Sequence, residues 1–325
     1  MSNNLENNIK VLLVGSGYMA REYAKVLKHL KIDFHVTGNT VASCKNFQKE
    51  LSLPVDSGGL KSFLMKKGLD TYSHAINTVN VEYLKDTTID LISKGIKNIL
   101  IEKPGSVNFS ELDEICKNAD REKSEIYIAY NRRFYSSIEK TKEIINKDGG
   151  ILSAHCEFTE WIHNINPDNY PDEIVNKWVI ANSSHVLDTI FFLIGEPKIL
   201  NPMILGKSKI SWHPAGSIFI GSGISHNNIP FSYHSNWLSG GSWSIEILTT
   251  RNRLILKPME ELQIQKKGSI KIENVLLDNG MDTKFKPGIF NQVSHFLNSN
   301  YSSFCSIKSQ KMRIKDVYNK IAGYN

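Results

Sequence analysis

Only four cysteines stand among 325 residues, Cys44, Cys116, Cys156 and Cys305, and no two are spaced as a metal-ligand pair or a redox motif. Neither a disulfide framework nor a cysteine metal site is expected, and reduced thiols suit a reducing compartment. No apolar run reaches the length that spans a bilayer. Residues 1–8 are polar and lack the basic-then-apolar pattern of a secretory signal, so a cytoplasmic protein without membrane attachment is expected. Dense basic runs are missing too. The net charge of +6 is spread along the chain, and its tightest clusters, Lys66-Lys67 and Lys266-Lys267, are only pairs. Such charges read as a solvated surface, not as a nucleic-acid footprint.

What is present is a length that one core seldom organises, and a change of pattern partway along it. The first part alternates strand and helix: strands at 9–14, 33–37, 74–78 and 98–101, with helices at 18–30, 45–51 and 81–94 between them. Such alternation predicts a parallel sheet with helices on its faces. From 126 onward, strand-like runs at 126–129, 152–159, 217–224, 231–237, 242–249 and 253–257 follow one another with few helices, which predicts a mostly antiparallel sheet. A helix at 177–194 interrupts them, stopped by Gly195 and Pro197, and late helices are expected at 287–298 and 313–322. The expected architecture is α/β, an N-terminal Rossmann domain over 1–125 and a C-terminal α+β domain with a large, mostly antiparallel sheet over 126–325.

Gly15-Ser16-Gly17-Tyr18-Met19-Ala20 joins the first strand to the first helix and fits the alanine-ending form of the dinucleotide fingerprint. Gly15 permits the tight turn, Gly17 lets backbone approach a pyrophosphate, and Ala20 allows close packing of helix on strand. The helix start then offers unpaired N–H groups to phosphate. After the second strand, a NAD-type site usually carries a carboxylate for the ribose 2′-hydroxyl. This chain has none there. Asn39, Thr40, Ser43 and Lys45 are instead able to hold a 2′-phosphate, which favours NADP over NAD, although Asn39 also suits an unphosphorylated ribose.

Further along stand Asn77-Thr78-Val79-Asn80, Glu102-Lys103-Pro104, Tyr130-Asn131-Arg132-Arg133-Phe134 and His185-Val186-Leu187-Asp188 leading to Leu193-Ile194-Gly195. With the glycine turn, this ordered set resembles the Gfo/Idh/MocA family, the glucose-fructose oxidoreductase and inositol dehydrogenase group. The resemblance implies a nicotinamide cofactor touched by Thr78, Asn80, Glu102, Lys103 and Asn131, an active site between the two domains, and a C-terminal sheet that assembles a homo-oligomer. It places Lys103 beside nicotinamide and substrate, where an ammonium stabilises negative charge developing on a substrate oxygen. It further implies that the Lys103–Pro104 bond is cis. His185 is the second catalytic candidate, since imidazole exchanges protons near neutral pH; the alternative is a packed helix histidine. Asp188 is expected to support structure.

The chain departs from the family at Ala181, four residues before His185, where many members carry a carboxylate. Asn182 is able to hydrogen-bond a hydroxyl but not to exchange its proton. Tyr83 stands where the family often has histidine. Trp178 and Asn182, in a stretch rich in aromatic and amide groups, are candidate substrate contacts, with packing or an exposed loop as the alternative. The leading expectation is an NAD(P)-dependent oxidoreductase acting on a secondary alcohol or ketone of a sugar, cyclitol or nucleotide-linked sugar, with no metal and no nucleic-acid partner. The alternatives are a nicotinamide-binding sensor or accessory protein without net redox activity, and a glycoside-cleaving enzyme that uses transient oxidation by a retained cofactor.

Overall fold

The computed structural model describes residues 9–66 and 71–324. The polar stretch 1–8 and Lys67 of the Lys66-Lys67 pair lie outside the described residues. The chain forms two compact units. One runs to Tyr130 and takes back Thr283–Lys311; the other comprises Asn131–Asp282 and the chain from Met312 onward.

The first unit alternates β1 (Lys10–Val14), α1 (Tyr18–His29), β2 (Asp33–Gly38), α2 (Val41–Leu51), β3 (Asp56–Ser57), α3 (Gly59–Lys66), β4 (His74–Asn77), α4 (Val81–Ser93), β5 (Asn98–Ile101), α5 (Phe109–Glu122) and β6 (Glu125–Ile128). The strands lie in the order β6-β5-β4-β1-β2-β3, all parallel, and Cys305–Ser306 adds an antiparallel edge beside β6. Val11, Leu12 and Leu13 are fully buried, as are Ile99, Leu100 and Ile101, because helices cover both faces of a parallel sheet. Strand order reverses at β1, with β2 on one side and β4 on the other. That reversal opens a crevice at the carboxyl ends of the strands, where ligands of such sheets bind.

The second unit contains α6 (Ser136–Lys147), β7 (Ser153–Phe158), α7 (Asp172–Val175), α8 (Ser184–Ile194), β8 (Pro197–Leu205), β9 (Ile218–Ser225), β10 (Pro230–Asn236), β11 (Trp243–Leu248), β12 (Asn252–Leu256), β13 (Gln263–Lys266) and β14 (Ile272–Asn274). Its sheet runs β14-β13-β12-β11-β7-β10-β9-β8 and is antiparallel except for β7 against β10. α8 packs on β7 and β11, burying Val186, Leu187 and Ile190 completely. Each such aliphatic side chain contributes roughly 1.5–3 kcal/mol. The same helix buries Asp188, whose Oδ2 accepts from Arg133 Nε at 2.7 Å and whose Oδ1 accepts from Arg133 Nη2 at 2.6 Å and from Arg313 Nη1. Arg133 is thus held in a buried ion pair, 4% and 0% exposed at its two side chains. Among the described residues, no helix is long and apolar enough to cross a membrane.

Both expected sheets form, with differences from the expected 1–125 and 126–325 division. The run expected at 126–129 is β6, parallel to β5 and part of the first sheet. Residues 283–311 return to the first unit, where the helix Ile289–Leu297 packs on α1 and Tyr23 donates to Gln292 Oε1 at 2.9 Å. Periodicity identifies a strand or helix but not which sheet it joins. β8 was not expected at all: its two prolines suit an edge strand, and it is largely exposed.

Candidate functional site

A cavity of about 640 Å³ in the first unit lies at the strand-order reversal. It is lined from β1 by Gly15, Ser16 and Gly17, from the end of β2 by Asn39, Thr40 and Ser43, and from the end of β4 by Thr78 and Asn80. The turn is fixed by backbone: Gly15 N–H donates to Thr37 O at 2.8 Å, and Thr78 donates to Val14 O through its N–H at 2.7 Å and its Oγ1 at 2.9 Å. Gly15 has φ +115°, and a Cβ there would strike Thr78 Oγ1 and stand 3.2 Å from its backbone. At Gly17 a Cβ would meet nothing within 4 Å. The first glycine therefore serves the fold, whereas the second leaves room for a ligand.

Two helix starts serve this cavity. Gly17 caps α1 without a side-chain hydrogen bond, and the first turn has no acidic residue, so its N–H groups and the helix dipole favour an anion. Thr40 caps α2 by accepting from Ser43 N–H, and Ser16 Oγ lies 2.7 Å from Ser43 Oγ, which ties the two starts together. Tyr83, exposed, lines the same cavity. Tyr18 and Met19 do not; Tyr18 carries the Lys286 ammonium over its ring at 5.3 Å. Lys45 is exposed and also outside the lining, while Lys61 of α3 is inside it. Lys61 was missed, although it follows the Gly58-Gly59 pair that marks a break before α3.

Glu102, Lys103 and Pro104 follow β5, and the Lys103–Pro104 peptide is cis. Glu102 Oε2 accepts from Lys103 N–H at 3.3 Å, and burial pushes the Glu102 carboxyl above the ordinary range against the pull of the Lys103 ammonium. Glu102 and Lys103 do not line the cavity beside the glycine turn. Behind them Gln310 donates to Pro104 O at 3.0 Å and bonds the Tyr130 hydroxyl.

In the second unit, a wide π turn at Val179–Ser183 leads into α8, whose second residue is His185, 7% exposed. Such turns re-aim side chains within a helix. Asn182 Nδ2 donates to Glu160 Oε2 at 3.0 Å and to Oε1 at 3.2 Å, and Ser183 Oγ donates to Oε1 at 2.6 Å. Glu160, 5% exposed just beyond β7, is a buried carboxylate beside the segment where Ala181 lacks one. In the sequence it stands directly after the expected strand at 152–159 and next to Trp161, the local signal that marks it. Glu160 lines a cavity of about 660 Å³ with Arg132, Trp161, Trp243, Lys257 and Glu260 among its walls. The Trp243 ring centroid is 6.0 Å from that of His185.

Other expected contacts fall elsewhere. Trp178 lines none of these cavities; it packs edge-to-face on Trp212 and Tyr170, with its Nε1–H buried and without an acceptor among the described residues. Asn131 is buried on a short 3-10 turn at Asn131–Phe134. Among the described residues no cluster of His, Cys, Asp and Glu is arranged to hold a metal ion.

No protein-family model matches the sequence, and no curated protein matches it either. Solved structures do match. An oxidoreductase from Agrobacterium radiobacter, in complex with NAD+, L-tartaric acid and magnesium, superposes with a TM-score of 0.75 at 12% identity over 98% of each chain. Levoglucosan dehydrogenase in complex with NADH gives 0.75 at 13% identity, over 98% of this chain and 97% of that one. The UDP-N-acetylglucosamine 3-dehydrogenase of Acidithiobacillus ferrooxidans gives 0.73 at 13% identity over 97% of both. At such identities the likeness is one of fold. The fold implied by the Gfo/Idh/MocA resemblance, a Rossmann unit followed by a unit with a large, mostly antiparallel sheet, is the fold this chain has.

Proposed function

We propose that this chain is an NAD(P)-dependent oxidoreductase of the Gfo/Idh/MocA type, acting on a secondary alcohol or ketone of a sugar, cyclitol or nucleotide-linked sugar. The observation that carries this reading is the cavity at the β1/β4 reversal, where Gly17 leaves open space before an uncapped helix start. The start of α1 attracts a dinucleotide's pyrophosphate and the space at Gly17 admits it, while Glu82, Asp86 and Asp90 line the α4 wall of the same cavity. Two of the similar structures are named for sugar substrates and two hold NAD+ or NADH, which supports the same class.

Gly15, Ser16 and Gly17 would hold the pyrophosphate, and Thr78 and Asn80 the wall beyond it. Asn39, Thr40, Ser43 and the start of α2 would face the adenosine ribose. The slight preference for NADP now rests on Lys61, a cation in the wall that holds Asn39 and Thr40, and not on Lys45. When bound, the nicotinamide supplies the hydride acceptor or donor. Lys103 donates to the reacting substrate oxygen, and His185 takes or returns its proton. Glu102 steadies Lys103 electrostatically, and Asn131 sits with the residues near the cofactor. Glu160, held by Asn182 and Ser183, accepts from a substrate hydroxyl and supplies the carboxylate that Ala181 does not. Trp178 contributes through packing or its indole N–H.

Following nicotinamide absorbance across a panel of sugars and cyclitols tests the reading. Net reduction or oxidation is expected, and Lys103→Ala is expected to lower kcat/KM by at least a hundredfold, within the range that general acid–base groups supply. Lys103→Ala turnover equal to the parent would overturn the mechanism, and binding of dinucleotide without turnover of any panel member would favour the non-redox reading.

We also place the chain in the cytoplasm as a homo-oligomer. Support for the first is that all four cysteines are buried thiols outside any disulfide. Support for the second is an exposed apolar stripe, Ile199, Met203 and Leu205 of β8 with the neighbouring Ile224 of β9, on one face of the second sheet.

A further inference from the structure

We infer that the cavity of about 660 Å³ in the second unit takes a sugar that bears an anionic group, with Arg132 as the residue that receives the anion. This rests on the proposed function for the sugar ring and on Arg132 itself for the charge. The Arg132 guanidinium is stacked 4.7 Å from the Trp243 ring and 5.8 Å from that of Tyr135. Among the described residues it is in no ion pair, and its Nε–H is shut off from solvent without an acceptor. A buried donor left unsatisfied is destabilising, and an anion bridging the guanidinium fork relieves that penalty.

The other charges in the wall are already engaged. Glu160 accepts from Asn182 and Ser183, Glu260 Oε1 accepts from the Tyr135 hydroxyl at 3.3 Å, and Lys257 lies 3.4 Å from Glu157. Formally the cavity has two cations and two carboxylates, but among the described residues Arg132 alone of the four has no side-chain hydrogen-bond partner. Around it the wall suits a pyranose. Trp161 is 55% exposed and its Nε1 donates to Gly241 O at 2.6 Å, which fixes the indole as a platform for a sugar face. Glu160 offers a carboxylate to ring hydroxyls. Carboxylate and phosphate share the chemistry that Arg132 recognises, a planar or near-planar pair of anionic oxygens.

Calorimetric titration of the full chain distinguishes the sources of that anion, using D-glucuronate, glucose 1-phosphate and UDP-glucose, with D-glucose as the neutral control. At least one anionic ligand is expected to bind tenfold or more tightly than D-glucose. Arg132→Met, which keeps an apolar stem against Trp243, is expected to abolish that preference, and Arg132→Lys to restore part of it. A thermal melt of each variant shows that it is folded. The inference is overturned if no anionic ligand outdoes D-glucose, or if the preference survives Arg132→Met, since the anion would then be held elsewhere, the glycine turn included. Anion-selective binding without any nicotinamide redox change would sink the proposed function and leave this inference standing. Turnover of neutral sugars without an Arg132-dependent preference would do the reverse.

Discussion

Gly15 and Gly17 stand two residues apart in one turn, yet replacing each by alanine should disturb the protein in opposite ways. At Gly15, alanine is forced into φ +115° and its Cβ collides with Thr78 Oγ1. The strained backbone costs on the order of 1–3 kcal/mol. Displacing Thr78 Oγ1 also removes its hydrogen bond to Val14 O, worth about 1 kcal/mol. Gly15→Ala should therefore lose roughly 2–4 kcal/mol of stability, a large share of what a domain commonly has, and melt roughly 5–15 °C lower even without ligand. Gly17 has φ −76° and ψ −167°, which any residue adopts, and its Cβ would meet nothing. As a helix N-cap, alanine costs less than about 1 kcal/mol there. The methyl group does stand where a pyrophosphate must approach, and losing one hydrogen bond to a charged group, about 1.5–3 kcal/mol, weakens binding roughly ten- to hundredfold. Differential scanning calorimetry of the free proteins and fluorescence titration with NAD+ and NADP+ separate the two effects. A Gly17→Ala protein that binds both dinucleotides as tightly as the parent would refute the assignment of the cavity, and a Gly15→Ala protein with an unchanged melt would refute the strain argument.

Lys61→Ala should weaken NADP+ about tenfold while leaving NAD+ unchanged, as loss of one charge-assisted contact requires; a parent protein that clearly prefers NAD+ in the same titrations would defeat the NADP preference. Asp188→Ala leaves the buried Arg133 and Arg313 guanidiniums without their shared carboxylate and should cost about 3–5 kcal/mol in urea unfolding; a loss under 1 kcal/mol would contradict it. His213 predicts an acid sensitivity. Burial lowers its pKa from 6.5 to about 4 in the folded state, so the unfolded chain takes up the proton first. The stability that goes with the neutral, buried ring is present above pH 6.5 and is lost as pH falls towards 4, about 3 kcal/mol over the whole interval. His213→Gln should show a smaller difference between urea midpoints at pH 7 and at pH 4.5, and an equal difference would exclude His213 as the cause.

Much of the first unit was legible in the sequence because its signals are local. A buried strand, a glycine turn and an amphipathic helix occupy consecutive residues, so Gly15, Ser16 and Gly17 are found without knowing what lies across the sheet. The strand-end residues Thr78 and Asn80 follow from the family motif, and their place in the cavity follows from parallel strands that all end on the same side. The helix holding His185 was also visible, although the π turn before it was not.

What escaped depends on contacts between residues far apart in the chain. Lys61 enters the cavity beside the glycine turn because β3 pairs with β2 and brings α3 beside Asn39. Glu160 meets Asn182 because β7 packs beneath α8, and Arg132 meets Trp243 only when the turn after Tyr130 reaches the start of β11. The return of 283–311 to the first unit rests on hydrophobic burial against α1, which carries no sequence address. The sequence by itself determined the glycine turn, the two sheets and the absence of a carboxylate at Ala181. Tertiary structure decided which buried carboxylate meets Asn182 and which cation of the second cavity lies over Trp243, because side-chain proximity across a fold is set by packing and not by spacing along the chain.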